Sequence, residues 1–410
     1  MSDMELSRLL LSLVLMLSLA LGLGQLFESL GLPRVIGEIF AGVMLGPSLL
    51  GSVTPAVYQW LFRAFDSQEK LLSVFHWLGL ILLMFSAGFK VSTTFEKNDH
   101  GLVCRLILGG VGFPFLFGLI ASSWIPNQLV PNSLAFSLVI ATAAAVTSIP
   151  VLTKIFMDLG IGSGRFARLV LTASAIQDLL LWTVLSIAIV LQQGQINDIK
   201  GVVPEILGTF IFAVFAILAA PALVRLAGRM VIDRGPEEVL IGYTLLVCLV
   251  LVSVASFLHV NIVFGALLAG LVIGRFRSPQ MEVVRSAITN VAAWFFVPIY
   301  FALVGLQMNV QAHLDIELLL AFLVASSAVK VTSVALATRS ATASWRHAVD
   351  FGLVMNARGG PGIVLASLAY AANIIDQYLY VTLVLTSVLT SLVAGIWLRQ
   401  RLDTDAARFR

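Results

Sequence analysis

The stretch VIGEIFAGVMLG, residues 35–46, returns as VFGALLAGLVIG at residues 263–274. Gly37, Ala41, Gly42 and Gly46 meet Gly265, Ala269, Gly270 and Gly274 at a constant offset of 228 residues. A weaker echo joins LMFSAGFKV (83–91) to YFALVGLQM (300–308) and aligns Gly88 with Gly305. Small residues at such spacing let helices in a membrane approach closely. Two echoes at similar offsets speak for an internal repeat, whose sense depends on the number of helices between the copies.

The composition places those helices in a bilayer. Of 410 residues 59% are hydrophobic and 11% charged, against about 25% charged in a soluble domain. Cutting at charges, Pro and Gly gives thirteen spans: 6–27, 34–50, 71–89, 102–124, 133–157, 165–191, 203–227, 237–258, 261–275, 286–308, 317–338, 346–370 and 377–398. The second and ninth are short for a full crossing. With this count, nineteen Lys and Arg fall on one side, and only Arg8, Arg63, Lys70 and Lys200 on the other. The positive-inside rule then puts the N-terminus outside and the C-terminus in the cytoplasm of a plasma (inner) membrane. The opening MSDMELSR lacks the basic region of a secretory signal and reads as the start of a helix. After Leu398 only RQRLDTDAARFR follows, so no soluble regulatory domain is expected. The basic residues are spread among loops, which excludes a nucleic-acid face. Cys104 and Cys248 lie far apart in or beside apolar segments, as helix filler rather than a disulfide or metal spacing.

An offset of seven helices is odd, so the two copies run in opposite senses. That is the inverted-repeat plan of secondary transporters, whose site lies near the midplane at broken helices. The copies would cover about 1–192 and 237–398, joined by a linker helix at about 203–227, in a single membrane transport domain, 1–410. The fifth span holds ATAAAVTSIPVL (141–152), and seven spans later the twelfth holds MNARGGPGIVL (355–365). Pro removes a backbone donor and crowds the preceding turn, while Gly eases unwinding. Breaks at membrane depth are tolerated where they face protein or a wet cavity.

Beside these breaks sit the charges. Asp178 is the only charged residue between Leu169 and Leu191, roughly 15 Å along the helix from Arg168. That is about the midplane of a hydrocarbon core roughly 30 Å thick. A carboxylate there costs at least about 2.5–3.5 kcal/mol, so something must offset it or use it. Lys330 is likewise mid-span, Arg358 precedes the Gly-Gly-Pro-Gly break, and Gln177 adjoins the acid. The structural alternative is a buried Asp178–Lys330 pair that only fixes packing. The functional reading has Asp178 bind a proton and a metal cation in turn, since its proton affinity responds to desolvation and to nearby charge. Lys330 would release Asp178 when the cation binds, or hold it charged between cycles. Arg358 either serves the site or satisfies carbonyls ending the first half of the twelfth helix. Thr147 and Ser148 either coordinate the cation or satisfy backbone freed by Pro150. Glu38, near the end of the second span, suits a structural or entrance role, and His259 reads as a loop residue. The glycines of LGLGQLFESLGLPR (21–34) read as close helix packing.

Taken in order, GEIFAGVMLGPSLLG, TSIPVLTKIF, IQD, FFVPIYFALVGLQMNV, Lys330 and MNARGG resemble the monovalent cation/proton antiporter superfamily, in its potassium-efflux (Kef-type) and sodium/proton branch. The likeness runs from about residue 30 to 370. It implies the all-α sodium/proton antiporter fold, about thirteen helices in a core and a dimerisation domain, a homodimer, and elevator-like alternating access. It also implies Asp178 as the ion- and proton-binding carboxylate and Lys330 as the core lysine. Many electrogenic relatives carry two adjacent acids where this chain has Gln177–Asp178. Lys330 then lacks its expected partner and can pair with Asp178, and one proton for one cation is the simpler stoichiometry. The potassium-efflux group's nucleotide-binding domain is not expected here.

The leading expectation is an electroneutral antiporter exchanging K⁺ or Na⁺ for H⁺, with no cofactor beyond the transported ions. The alternatives are a channel-like efflux conduit needing a separate soluble subunit and a proton-coupled exporter of an organic substrate. Few, small midplane polar groups favour a bare ion over an organic one. No catalytic constellation supports an enzyme.

Overall fold

The computed structural model describes residues 2–30, 32–89, 99–125, 134–161, 164–193, 199–229, 235–258, 260–276, 278–342 and 344–405. His259, and Lys90, Lys97, Arg234, Arg277, Arg408 and Arg410 among the nineteen basic residues counted on one side, lie outside the described residues. The described chain is helical, with no strand.

Two compact units share it: Met1–Val91 with Asp198–Ala312, and Ser92–Asn197 with His313–Arg410. The first unit opens with α1 (Asp3–Ser29), α2 (Arg34–Leu45) and α3 (Gln68–Phe89). The chain then enters the second unit with α4 (His100–Ile107), continued through a π-helical turn, Leu108–Gly112, into α5 (Phe113–Ala121). There follow α6 (Leu134–Ala145), α7 (Ile149–Asp158) and α8 (Arg165–Gln193). Back in the first unit come α9 (Ile199–Leu218), α10 (Ala220–Ala227), α11 (Glu237–Phe257), α12 (Ile262–Gly274), α13 (Pro279–Val291) and α14 (Val297–Gln307). The second unit closes with α15 (Ile316–Arg339), α16 (Trp345–Met355), α17 (Gly359–Ala371) and α18 (Gln377–Asp405).

Among the described residues nine helices are long and apolar enough to cross a membrane, and the bent pair Leu207–Leu218 and Ala220–Ala227 makes a tenth. The protein is therefore a multi-pass membrane protein. The helix ends follow local chemistry. Ser2 and Glu5 form a reciprocal capping box on α1, with Ser2 N–H donating to Glu5 at 2.7 Å. Asn261 caps α12 through the N–H groups of Val263 and Phe264. The tenth span begins at Pro279 rather than at 286, because Ser278 accepts from Met281 N–H and Pro279 suits the first turn. A charge such as Arg285 does not end a helix that is capped beyond it. The seventh span bends by 53° at Ala219, where Pro221 withdraws a donor from the next turn.

The repeat governs the packing of the first unit. α2 lies against α14, and α3 lies against α12. Gly42 faces the carbonyl of Ala302, and Gly270 faces the carbonyl of Phe85, so closely that neither position has room for a Cβ. Gly305 meets the carbonyl of Ile39, and Gly88 that of Leu267, in the same manner. Moving Gly42 and Ile39 forward by 228 gives Gly270 and Leu267, and the 217-residue offset of the second echo takes Phe85 and Gly88 to Ala302 and Gly305. The two contacts are one contact made twice. Gly37 is equally tight against the Leu23 carbonyl of α1, in keeping with a packing role for the glycine-bearing end of that helix.

The second unit encloses an apolar cluster that includes Leu152, Phe156, Phe166, Val170, Phe351 and Met355. The rings of Phe166 and Phe351 are 4.5 Å apart. Asp350 of α16 accepts from Trp397 Nε1 and Arg401 Nε of α18, each at 3.0 Å. This holds one half of a broken helix in place.

Candidate functional site

Both sequence-predicted breaks are present, and both belong to the second unit. The chain leaves helical geometry at Val146–Ser148, between α6 and α7, and at Asn356–Arg358, between α16 and α17. The two breaks touch. Ser148 N–H donates to the Ala357 carbonyl at 2.7 Å, and the Thr147 hydroxyl lies 2.8 Å from the Met355 carbonyl. Gly359 makes the second break possible, since its φ of 44° is one that side chains rarely permit. A Cβ there would also strike the Ser148 hydroxyl.

A helix end leaves carbonyls without partners and carries partial negative charge. The end of α6 is neutralised by Lys330, which reaches in from α15 and is fully buried. Its Nζ donates to the carbonyls of Ala145 at 2.6 Å and Val146 at 2.7 Å, and to the Thr147 hydroxyl at 2.8 Å. Those bonds use all three ammonium hydrogens. The Thr147 oxygen also lies 3.0 Å from Gln177 Oε1, so its single proton serves Gln177 or Met355 at any moment. Gln177 Nε2 donates to the Leu106 carbonyl of α4 at 3.1 Å. Gln177 also backs onto Gly110, in the π-helical turn.

The predicted Asp178–Lys330 pair is not formed as a contact, because the ammonium is saturated by the crossing. Asp178 is buried, and its Oδ1 has no hydrogen-bond partner. Ser174 Oγ, one turn before Asp178 on α8, and Asn356 Oδ1 in the second break are also buried without a partner. Ser148 Oγ accepts from Val151 N–H at 3.4 Å, a cap on α7. Arg358 does not satisfy carbonyls at the end of α16. Its Nη2 donates to Ser326 Oγ at 2.7 Å, and its guanidinium carbon lies 5.6 Å from the centre of the Phe322 ring. Glu38 belongs to the first unit and pairs with Arg34 at 2.9 Å.

Leu106, Gly110, Ser174 and Asn356 carry no charge, so no charge inside hydrocarbon marks them in the sequence. The run GGVG (109–112) is the one signal that could have drawn attention to the fourth span. What the assembly offers chemically is a buried carboxylate with a free oxygen, beside a cation held by other groups and with neutral oxygens on neighbouring segments. Among the described residues no cluster of His, Cys, Asp and Glu could hold a transition metal.

The chain is similar to known proteins. The family described as sodium/hydrogen exchanger, transmembrane, matches residues 14–403. The Na⁺/H⁺ antiporter NhaS4 of Synechocystis is 26% identical over 94% of this chain and 95% of its own length. The K⁺/H⁺ antiporter 1 of Saccharomyces cerevisiae is also 26% identical, over 90% of this chain but 43% of its own length, so this chain spans less than half of that relative. Among solved structures, the sodium proton antiporter MjNhaP1 of Methanocaldococcus jannaschii superposes with a TM-score of 0.69, covering 96% of this chain and 97% of that one at 18% identity. The fold is the same.

Proposed function

Because the chain belongs to the sodium/hydrogen exchanger family, a family of transporters, we propose that it exchanges a monovalent cation, K⁺ or Na⁺, for H⁺ across a plasma membrane. Asp178 is the shared group: protonated in one half-cycle, bound to the bare cation in the other. The observation that carries this reading is the unpartnered Oδ1 of buried Asp178. The neighbouring Lys330 is already held by Ala145, Val146 and Thr147. A buried carboxylate without a partner is expensive, and either a proton or a cation relieves it.

Ser174 Oγ and Asn356 Oδ1 are the neutral oxygens we assign to the cation's shell, an all-oxygen environment suited to alkali ions. Gln177, Thr147 and Ser148 hold the crossing in shape, and Lys330 supplies a fixed positive charge. One carboxylate at the site favours one proton per cation, hence electroneutral exchange. The remaining expectations (elevator-like access, a homodimer, an external N-terminus and a cytoplasmic C-terminus) rest on the family likeness and the positive-inside bias. The test is dissipation of a pH gradient in proteoliposomes on adding K⁺, Na⁺ or Li⁺. Cation-dependent proton movement that vanishes in Asp178→Asn is the expected result. Full exchange by Asp178→Asn would remove Asp178 from the role, and current without proton coupling would favour a conduit.

A further inference from the structure

α4 does not run straight into α5: Leu108–Gly112 between them is a π-helical turn. In such a turn each N–H reaches one residue further back than in an α-helix, so the pairing slips and leaves a carbonyl for another donor. Two carbonyls at this turn are taken by side chains from other helices. The Leu106 carbonyl accepts from Gln177 Nε2 of α8 at 3.1 Å, and the Gly109 carbonyl accepts from the Ser333 hydroxyl of α15 at 2.5 Å. Both donors are buried. The glycines of the turn admit both helices. A Cβ on Gly110 would strike Gln177 Nε2, and one on Gly109 would come within 2.9 Å of the Ser333 carbonyl and of Val334 Cα.

The donors stand beside the site's charges. Gln177 precedes Asp178 on α8, and Ser333 lies one turn after Lys330 on α15. A buried hydroxyl in a helix commonly turns back to a carbonyl of its own helix, as Ser326 does to Phe322 and Thr338 to Val334 on α15. Ser333 aims first at another helix. Its oxygen is also 3.0 Å from the carbonyl of Lys330 itself, so its one proton has two acceptors, and Gly109 is the nearer. The π-helical turn is thus tied to both charge-bearing helices, within one turn of each charge.

We propose that Ser333 is a positioning residue for exchange: its bond to the π-helical turn fixes Lys330 on the Ala145 and Val146 carbonyls and the Thr147 hydroxyl, and so keeps the ammonium off Asp178. The inference rests on Asp178 as the shared proton and cation carboxylate. An ammonium released toward that carboxylate competes with the transported cation for the same oxygens. Ser333 touches neither ion, and acts through Lys330 by holding α15 in place.

The test is proton movement in proteoliposomes of the full chain, measured over a range of Na⁺ and of K⁺ concentrations for the parent, Ser333→Ala and Ser333→Thr. Ser333→Ala should raise KM for the cation about two- to tenfold, the range of one lost hydrogen bond, with kcat retained. Ser333→Thr supplies the same hydroxyl and should return KM to the parent value. Should Ser333→Ala not fold, Ser333→Cys takes its place, since a thiol has nearly the same shape and is a poor donor. A parent without cation-dependent proton movement would remove the exchange reading, and the role of Ser333 with it. A parent that exchanges, beside a Ser333→Ala variant of unchanged KM, would overturn the role of Ser333 alone. Loss of kcat at unchanged KM, or Ser333→Thr behaving like Ser333→Ala, would do the same, because either outcome makes Ser333 a packing residue.

Discussion

Lys330 Nζ donates to the hydroxyl of Thr147 at 2.8 Å, and with the Ala145 and Val146 carbonyls this bond completes the ammonium's hydrogen bonding without Asp178. The lysine and the aspartate thus have separable roles. Lys330 holds a broken helix together, whereas Asp178 keeps a free oxygen. Asp178→Asn should abolish exchange while leaving the unfolding temperature unchanged or raised. Lys330→Met should instead destabilise by about 3–5 kcal/mol, because three buried acceptors lose their partner. Paired transport and unfolding measurements separate the two. Equal destabilisation by both variants would restore the direct ion pair.

Thr147 joins three segments through one oxygen, touching Lys330, Gln177 and Met355. Thr147→Val keeps the shape and removes the hydroxyl, so an unfolding penalty of about 1–3 kcal/mol follows, with slower exchange. Thr147→Ser should recover most of both, as Ser supplies the same oxygen. If Val and Ser behave alike in transport and unfolding, the hydroxyl is a bystander and backbone geometry alone holds the crossing.

Gln177 is the residue that makes the interior singly acidic. Gln177→Glu adds a second carboxylate beside Asp178, keeps an acceptor for the Thr147 hydroxyl, and loses the donor to the Leu106 carbonyl. The expected outcome is exchange that moves net charge, with a modest loss of stability. Transport in proteoliposomes with the membrane potential set by a K⁺ ionophore checks this, using Na⁺ as the exchanged ion. The parent rate should ignore the potential, and the variant rate should follow it. A parent rate that follows the potential would refute one-for-one exchange.

Where the chain's physics is local, the sequence shows it. Gly42 and Gly270 are legible because close backbone approach excludes a Cβ, and a repeat writes the same demand twice. Asp178, Lys330 and Arg358 stand out because charge inside hydrocarbon is costly wherever it lies. The partner of Lys330 is not legible: which carbonyls lie free depends on how two breaks, Val146–Ser148 and Asn356–Arg358, meet in space. Nor is the contribution of Leu106, a backbone carbonyl beside a π-helical turn. Thr386 and Thr390 read identically in sequence, and only packing distinguishes the hydroxyl that turns back on its helix from the one that does not.

The doubled contact in the first unit makes a symmetric prediction. Gly42→Ala drives a methyl into the Ala302 carbonyl, and Gly270→Ala drives one into the Phe85 carbonyl. Backbone cannot swing aside as a side-chain tip can, so each variant should lose about 1–3 kcal/mol, and by similar amounts because the surroundings are equivalent. Gly22 and Gly242 are the controls: both lie in helices with nothing within 4 Å of an added Cβ. Alanine there should be neutral or stabilising by about 0.5–1 kcal/mol, the intrinsic helix preference over glycine. Thermal unfolding of the four variants in one detergent reads the result directly. Were Gly42→Ala or Gly270→Ala to behave like Gly22→Ala, the helices could not be as close as described. A large difference between Gly42 and Gly270 would break the equivalence of the two contacts.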